Sequence, residues 1–250
     1  MKKFDKIILL LLSVIYLIPV AITIFKSFEY NDSISLNQYR ELFINNYPVF
    51  HYYWNSAMYA IISSICCIII SLPLAFLFSK TNFRFRDCCF MVFVIVMMMP
   101  FQATMLPNYI LFRNIHMLNT PLAIALPMIF SPLGVFLLRQ FIKSIPDEQV
   151  HAALLETSSL YLLFKYIIIP QIRPAIVTLF ILLFCESWNI YEQVLVLSPQ
   201  NDYIYPLSSM FSQMPDNIKF SSSVIYLFPV IILFLLFENT LYSGMGKYKL

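Results

Sequence analysis

Glycine and charge are both scarce in this sequence. Only 3 of the 250 residues are glycine, and charged residues make up 12%, against roughly 25% in an average soluble domain. The sequence also lacks the patterns G-x-x-x-x-G-K-[ST], H-E-x-x-H and G-x-S-x-G. We therefore expect that the chain does not hydrolyse ATP itself, is not an enzyme and carries no cofactor of its own.

Metal and disulfide chemistry are not expected either. None of the five cysteines has C-x-x-C spacing, and they fall in apolar runs or next to basic residues, as small apolar fillers do. The three histidines are isolated from one another along the chain (His51, His116 and His151). We predict no metal site.

Long apolar runs dominate the sequence, which is 60% hydrophobic. A bilayer core of about 30 Å takes roughly 20 helical residues, and a transmembrane barrel would instead show short alternating segments. The runs are continuous, so they predict an all-α membrane protein with six transmembrane helices in one domain, residues 1–250. The predicted spans cover residues 7–25, 55–79, 89–112, 121–141, 167–196 and 222–243.

The basic residues predict the orientation of these spans. With the N-terminus inside, twelve of the 16 Lys and Arg residues fall in cytoplasmic segments and four in outer loops, as the positive-inside rule favours. The opening apolar run exceeds a signal h-region and no A-x-A site follows, so we expect an uncleaved first span. The first outer loop contains S-L-N-Q-Y-R-E-L-F, which is typical of a short surface helix.

Scarce glycine means that close helix packing must use other small residues. The second predicted span offers a four-residue spacing of such residues: Ser56, Ala60 and Ser64, then Ser71, Ala75 and Ser79. We interpret this ridge as the face that packs against a neighbouring helix.

Residues 142–166 form a polar interruption between the fourth and fifth spans. Pro146 suits the start of a helix, and the acidic residues Asp147 and Glu148 favour its N-terminal end. Apolar residues recur at helical spacing on both sides of an interruption by Thr157 and its neighbours. The pattern predicts two short amphipathic helices that meet at a bend and dock to another protein.

The hairpin resembles the cytoplasmic EAA loop of ABC importer permeases. The pattern I-P-x-x-x-x-x-A-A-x-L-[acidic]-x-x-[ST], followed by F-x-x-I-x-x-P-x-x-x-P, is matched by Ile145, Pro146, Ala152, Ala153, Leu155, Glu156, Ser159, Phe164, Ile167, Pro170 and Pro174. The chain departs from the family at His151, which replaces a Glu, and at Thr157, which replaces the glycine of the bend. Because a β-branched residue disfavours positive φ, this bend is expected to turn differently.

Similarity to the carbohydrate-uptake branch of these permeases extends over the whole chain. It is carried by W-N-S from Trp54, L-N-T-P-L-A-I-A-L-P from Leu118, F-L-L-R-Q-F-I-K-S-I-P from Phe136 and W-N-I-Y from Trp188. These segments look like the six-span permease partner of maltose-type importers. The resemblance implies a type I ABC importer permease fold with a cytoplasmic coupling-helix hairpin.

The resemblance also implies partners and a location. It implies a homologous sister permease, two ATPase subunits that hold ATP and Mg, an extracellular or periplasmic solute-binding protein and membrane lipid, with no nucleic acid. The chain would be a multi-pass protein of the bacterial cytoplasmic membrane with both termini in the cytoplasm. The family's coupling loop fits a cleft on the ATPase, which implies these docking residues: Val150, His151, Ala152, Ala153, Leu154, Glu156, Thr157, Leu160 and Phe164. The G-K-Y-K-L ending resembles a tail that reaches the ATPase interface through Gly246, Lys247 and Lys249.

Polar residues inside the spans are candidates for a solute path. Ionisable groups in the membrane are costly and normally face a bundle interior or a water-filled cavity. The candidates are Gln102, Asn108, Glu186, Trp188, Asn189 and Gln193. The alternative is that these side chains hold helices together while solute mainly contacts the sister permease.

Three other functions remain open at this point. A permease of the same superfamily that carries a non-sugar solute fits the same motifs. An ion-coupled secondary transporter would use Glu186 or Glu238 for proton coupling. An intramembrane enzyme would need a paired catalytic constellation, which the sequence does not offer.

Overall fold

The architecture is helical, which confirms the predicted all-α class. The computed structural model describes residues 3–30, 33–44, 49–157, 159–211 and 214–246. In chain order the elements are α1 (Lys3–Ser27), β1 (Glu29–Tyr30), β2 (Ser33–Ile34), α2 (Asn37–Ile44), α3 (Val49–Lys80), α4 (Arg86–Met97), α5 (Phe101–Asn114), α6 (Pro121–Ile129), α7 (Pro132–Lys143), α8 (Asp147–Glu156), α9 (Leu160–Leu163), a π-helical turn (Phe164–Ile168), α10 (Ile169–Gln171), α11 (Arg173–Trp188), α12 (Glu192–Leu197), a 3₁₀ turn (Asp202–Ile204), α13 (Leu207–Met210) and α14 (Asp216–Gly246). The helix α2 lies where the surface helix was predicted.

Four helical segments are long and apolar enough to cross a membrane. They are Leu10–Ser27, Val49–Lys80, Pro121–Lys143 and Asp216–Leu241. Two bent pairs raise the number to six if each pair is one span: α4 with α5, bent by 100°, and Leu160–Gln171 with α11, bent by 82°. The spans predicted at 89–112 and 167–196 as continuous helices are therefore broken.

Each break has a local cause. Pro100 lies between α4 and α5 in an extended conformation. Proline lacks the N–H that would continue the hydrogen bonds of α4, and its ring disfavours a helical conformation at the preceding residue. Pro174 in the first turn of α11 likewise cannot extend the hydrogen-bond ladder from α10. At the end of α11 the Asn189 side chain donates 2.7 Å back to the Cys185 carbonyl, so it competes with helix continuation and α12 begins separately at Glu192.

The ridge of small residues on α3 forms the centre of the bundle, as predicted. Ser56, Ala60, Ser64, Ser71 and Ala75 are buried. An apolar core that also contains Val150 joins α3 through Phe76, α7 through Leu138 and α11 through Leu179. The ridge thus lets the bundle's neighbouring helices approach α3 closely.

Gly134 on α7 marks the closest approach to this ridge. A Cβ atom at this position would lie 2.5 Å from the Ser71 Oγ, 3.2 Å from the Ser71 Cβ and 3.3 Å from the Cys67 Sγ. We expect Gly134→Ala to lower the free energy of unfolding by about 1–3 kcal/mol through overpacking. Thermal unfolding of the purified membrane complex measures the effect. In a Ser71→Gly background, which removes two of the three clashing atoms, the same substitution should cost less; an equal cost in both backgrounds would contradict this packing.

The first and last long helices are joined by Gln38 of α2, which is buried. Its amide nitrogen donates to the carbonyl oxygens of Lys26 (2.7 Å) and Glu29 (2.6 Å). Its amide oxygen accepts from the Ser221 backbone N–H of α14 at 3.3 Å. The apolar window of α1 is otherwise only 6% buried within the chain.

Candidate functional site

The hairpin begins where the sequence predicts a helix start. Pro146 is extended, with φ −57° and ψ 136°, and its carbonyl accepts from the Gln149 N–H at 3.2 Å. Asp147 and Glu148 occupy the first turn of α8, where negative charge is favoured by the helix dipole. The helix therefore starts one residue after the proline.

Thr157 lies at the bend without adopting a left-handed conformation. Thr157 has φ −146° and ψ 133°, an extended conformation that suits a β-branched side chain. Its N–H donates to the Ala153 carbonyl at 3.0 Å, and its hydroxyl accepts from the Ser159 N–H at 3.2 Å. The non-glycine residues with positive φ in the described part of the chain lie elsewhere, at Phe85, His116 and Asn119. The loop thus accommodates threonine in place of glycine, as expected.

One face of the hairpin packs onto the chain's own membrane helices. Val150 is 3% exposed and belongs to the core that includes Leu163 and helices α3, α7 and α11. Ala153 and Phe164 pack against the same core, with the Phe164 ring 5.1 Å from that of Phe76. The sequence interpretation that Val150 docks to an ATPase is therefore corrected, because its side chain is covered by this chain. Ala153 and Phe164 also belong to the inner face.

The opposite face of the hairpin is open. His151, Ala152, Leu154, Glu156 and Leu160 are exposed. Leu155 is 90% exposed and was absent from the predicted docking residues, although it matches the motif. Its helical position opposite Val150 and Ala153 is the signal that identifies it. We call His151, Ala152, Leu154, Leu155 and Leu160 the outer hairpin face.

A lysine that the sequence did not single out holds the start of the hairpin. The Lys80 ammonium, at the end of α3, donates to the Asp147 Oδ1 at 2.6 Å and to the Ile145 carbonyl. The hydrogen bond from Lys80 lowers the pKa of the Asp147 carboxyl below its ordinary value, so this carboxylate is ionised at neutral pH.

Exposed polar side chains occur where α11 ends and α12 begins. They are Glu186 on α11, Asn189 directly after it and Glu192 on α12, together with Gln102 on α5, whose amide donates to the Glu192 Oε2 at 3.3 Å. None of the described residues forms a hydrogen bond or an ion pair with the Glu186 carboxylate. We call these four residues the polar strip. The ring of Tyr191 is exposed beside them.

Two of the predicted path residues, Trp188 and Gln193, lie inside the chain instead, and a third, Asn108, is half-buried. Trp188 is fully buried, and its indole N–H donates to the Tyr226 carbonyl at 3.2 Å. Gln193 is buried and donates to the Ile124 carbonyl at 2.8 Å. Asn108 and Gln193 flank a crevice with no room for a water molecule. Trp188 and Gln193 therefore join helices, which corrects their assignment to a path.

Two further predictions concern the C-terminal tail and the absence of a metal site. Gly246 is the last residue of α14, and Lys247 and Lys249 lie outside the described residues. Within the described ranges no three His, Cys, Asp or Glu side chains come together as a metal site requires.

Comparison with known proteins identifies the family to which this chain belongs. Residues 67–242 match the family model described as "Binding-protein-dependent transport system inner membrane component". The arabinooligosaccharides transport system permease protein AraQ of Bacillus subtilis is 26% identical over 94% of this chain and 91% of the relative. The lactose transport system permease protein LacG of Rhizobium radiobacter is 27% identical, over 77% of this chain and 72% of the relative.

The sn-glycerol-3-phosphate transport system permease protein UgpE of Brucella abortus is 28% identical, over 77% of this chain and 71% of the relative. Among solved structures, a chain of a bacterial ABC transporter involved in the import of the acidic polysaccharide alginate aligns with a TM-score of 0.79 at 18% identity. This alignment covers 99% of this chain and 95% of that chain. The predicted resemblance is confirmed: the chain belongs to the binding-protein-dependent transport system inner membrane component family of ABC importer permeases.

Proposed function

We propose that this permease takes up an oligosaccharide or a related neutral carbohydrate. It works with a sister permease, two ATPase subunits that carry ATP and Mg, and a solute-binding protein outside the membrane. The names of the arabinooligosaccharide and lactose relatives support a sugar. Both termini lie in the cytoplasm, on the side of the basic residues.

The observation that carries this proposal is the two-sided hairpin. Its inner face is continuous with the core of α3, α7 and α11, and its outer face presents Leu155 with nothing of the described chain over it. An ATPase subunit that grips the outer face and closes on ATP moves the hairpin together with those helices. This motion switches the cavity between the two permeases from inward to outward facing.

The polar strip is the proposed path for solute on this subunit. Glu186 and Glu192 accept hydrogen bonds from sugar hydroxyls, and Asn189 and Gln102 both donate and accept. The exposed Tyr191 ring offers an apolar surface for a sugar face, a role that the buried Trp188 does not fill. The solute is released into this cavity from the binding protein.

The charge of the strip favours a neutral sugar over a phosphorylated solute. The strip contains two carboxylates and no Lys or Arg, and like charges at a binding surface repel. A relative named for sn-glycerol-3-phosphate makes this distinction worth testing.

Reconstitution of the complete complex tests the proposal. We expect ATPase activity in nanodiscs to rise with the loaded binding protein when arabinotriose or lactose is supplied, and to stay near its basal rate with sn-glycerol 3-phosphate. Stimulation by the phosphate alone would overturn the neutral-sugar proposal. Uptake driven by a proton gradient into liposomes that contain this chain without ATP would instead support an ion-coupled transporter.

A further inference from the structure

One charged side chain is withdrawn from water at the cytoplasmic end of the bundle. The Lys80 side chain is only 3% exposed, and its ammonium lies 2.6 Å from the Asp147 Oδ1. It also donates to the carbonyl of Ile145, which is itself buried. A buried ammonium is costly unless it is paired, so this lysine is fixed to the first turn of the hairpin.

The helices on both sides of this contact reinforce it. Lys80 lies in the last turn of α3, where a cation is favoured, and Asp147 lies in the first turn of α8, where an anion is favoured. Each charge is therefore stabilised by its own helix as well as by the other. The ion pair connects the C-terminal end of the central helix directly to the N-terminal end of the coupling helix.

The contact holds the first turn of α8, in addition to the apolar packing of Val150 and Ala153 on the core. Lys80 holds α8 at Asp147, whereas Leu155 lies eight residues later, about 12 Å along the helix axis. A second side-chain hydrogen bond, from Gln171 to Gln149 at 3.1 Å, is exposed and neutral. A displacement applied at Leu155 thus reaches α3 through the ion pair at the start of α8 as well as through the apolar inner face of the hairpin.

We propose that Lys80 is a positioning residue that ties the coupling hairpin to α3, so that movement of the outer hairpin face is transmitted to the central helix. The proposal rests on the proposed docking of an ATPase to that face. Its geometric part, a fixed distance between α8 and α3, holds whether or not an ATPase binds.

The variants separate a positional role from a general loss of charge or fold. Lys80→Met keeps an unbranched side chain of similar length, and the Asp147 carboxylate that it leaves without a partner is 70% exposed, so no buried charge remains unpaired. Lys80→Arg keeps the charge and the donors. Lys143→Met removes an exposed lysine from the same cytoplasmic surface and serves as the matched control.

The first measurement is the distance between spin labels on α3 and α8. Labels at Leu77 and Glu148, both exposed, are placed in a chain with its native cysteines replaced by serine, within the complete complex in nanodiscs. We expect a narrow distance distribution for the parent, Lys80→Arg and Lys143→Met, and a broad, shifted distribution for Lys80→Met. Asp147→Asn, with thermal unfolding as a check of the fold, should broaden it as well.

The second measurement is the coupling of ATPase activity to the loaded binding protein. We expect Lys80→Met to reduce this stimulation about tenfold while the ATPase subunits stay bound, a change within the usual range of coupling energies. Lys80→Arg should restore it. A narrow distribution in Lys80→Met and Asp147→Asn, or unchanged stimulation in Lys80→Met, overturns the role of Lys80. Absence of bound ATPase in the parent complex would contradict the proposed function instead, and the distance measurement would still decide the role of Lys80.

Discussion

Replacing Leu155 with glutamate should detach the ATPase from this permease. The side chain is 90% exposed near the C-terminal end of α8, so an acidic residue there leaves the fold intact. At an interface, loss of a central apolar anchor costs about 2–4 kcal/mol, which corresponds to a loss of affinity of roughly 30-fold to 1,000-fold. Titration of the permease pair in nanodiscs with the purified ATPase subunit measures this loss of affinity.

A matched control for this substitution lies on the other side of the chain. Ile34, on strand β2, is 93% exposed and is also a large aliphatic residue. Ile34→Glu introduces the same charge at the same exposure, and it should leave ATPase binding unchanged. If Leu155→Glu binds the ATPase as tightly as Ile34→Glu does, the outer hairpin face is not the docking surface.

Ala153 offers a contrast within the hairpin. The sequence places it among the docking residues, but its side chain packs against the chain's own core. Acidic substitution there buries a charge without a partner, so the expected effect is on folding. The two substitutions, two residues apart, distinguish the inner from the outer face.

Removal of the Glu186 carboxylate should slow solute uptake while the complex stays assembled. The group lies on an apolar helix, exposed on the surface of this chain, and none of the described residues pairs with it. A charge-assisted hydrogen bond to a solute hydroxyl is worth about 1.5–3 kcal/mol, so Glu186→Ala should reduce uptake about tenfold to hundredfold. Glu186→Gln, which keeps an acceptor, should lose less. The initial rate of uptake of labelled arabinotriose into proteoliposomes is the quantity to compare among the parent and the two variants.

The alternative role of Glu186, holding helices or the sister permease, has a different signature. In that case Glu186→Ala would lower the yield of the permease pair on purification or its thermal stability. Trp188→Phe, which removes the indole hydrogen bond to α14, is the comparison for such a structural effect. Unchanged uptake kinetics in Glu186→Ala would exclude this carboxylate from the path.

The sequence predicts the helical class and the hairpin well, because both depend on local patterns. Continuous apolar runs predict membrane helices, and Thr157 in an extended bend follows from the steric limits of a β-branched residue. The breaks at Pro100 and Asn189 are harder, since proline is tolerated inside α3 at Pro73 but ends a helix elsewhere. Tertiary contacts decide which proline bends the chain.

The direction in which the hairpin faces was the part that sequence reasoning missed. An amphipathic stripe packs by default on its own chain's core, and Val150 and Phe164 follow that rule. The partner surface that we propose is instead made by apolar residues off the stripe, above all Leu155. Lys80 and Asp147 are 67 residues apart, so no local pattern connects them. Trp188 and Gln193 likewise bond to helices that are distant in sequence.

The buried amide of Gln38 has a consequence for biogenesis. Its contact with Ser221 spans 183 residues, and α1 is otherwise little covered by the rest of the chain. We therefore expect α1 to be fixed to the bundle only after α14 has been inserted, since long-range contacts form only when both segments exist. The core helices α3, α7 and α11 all precede α14 in the chain, so the Gln38 contact is expected to form after the central bundle.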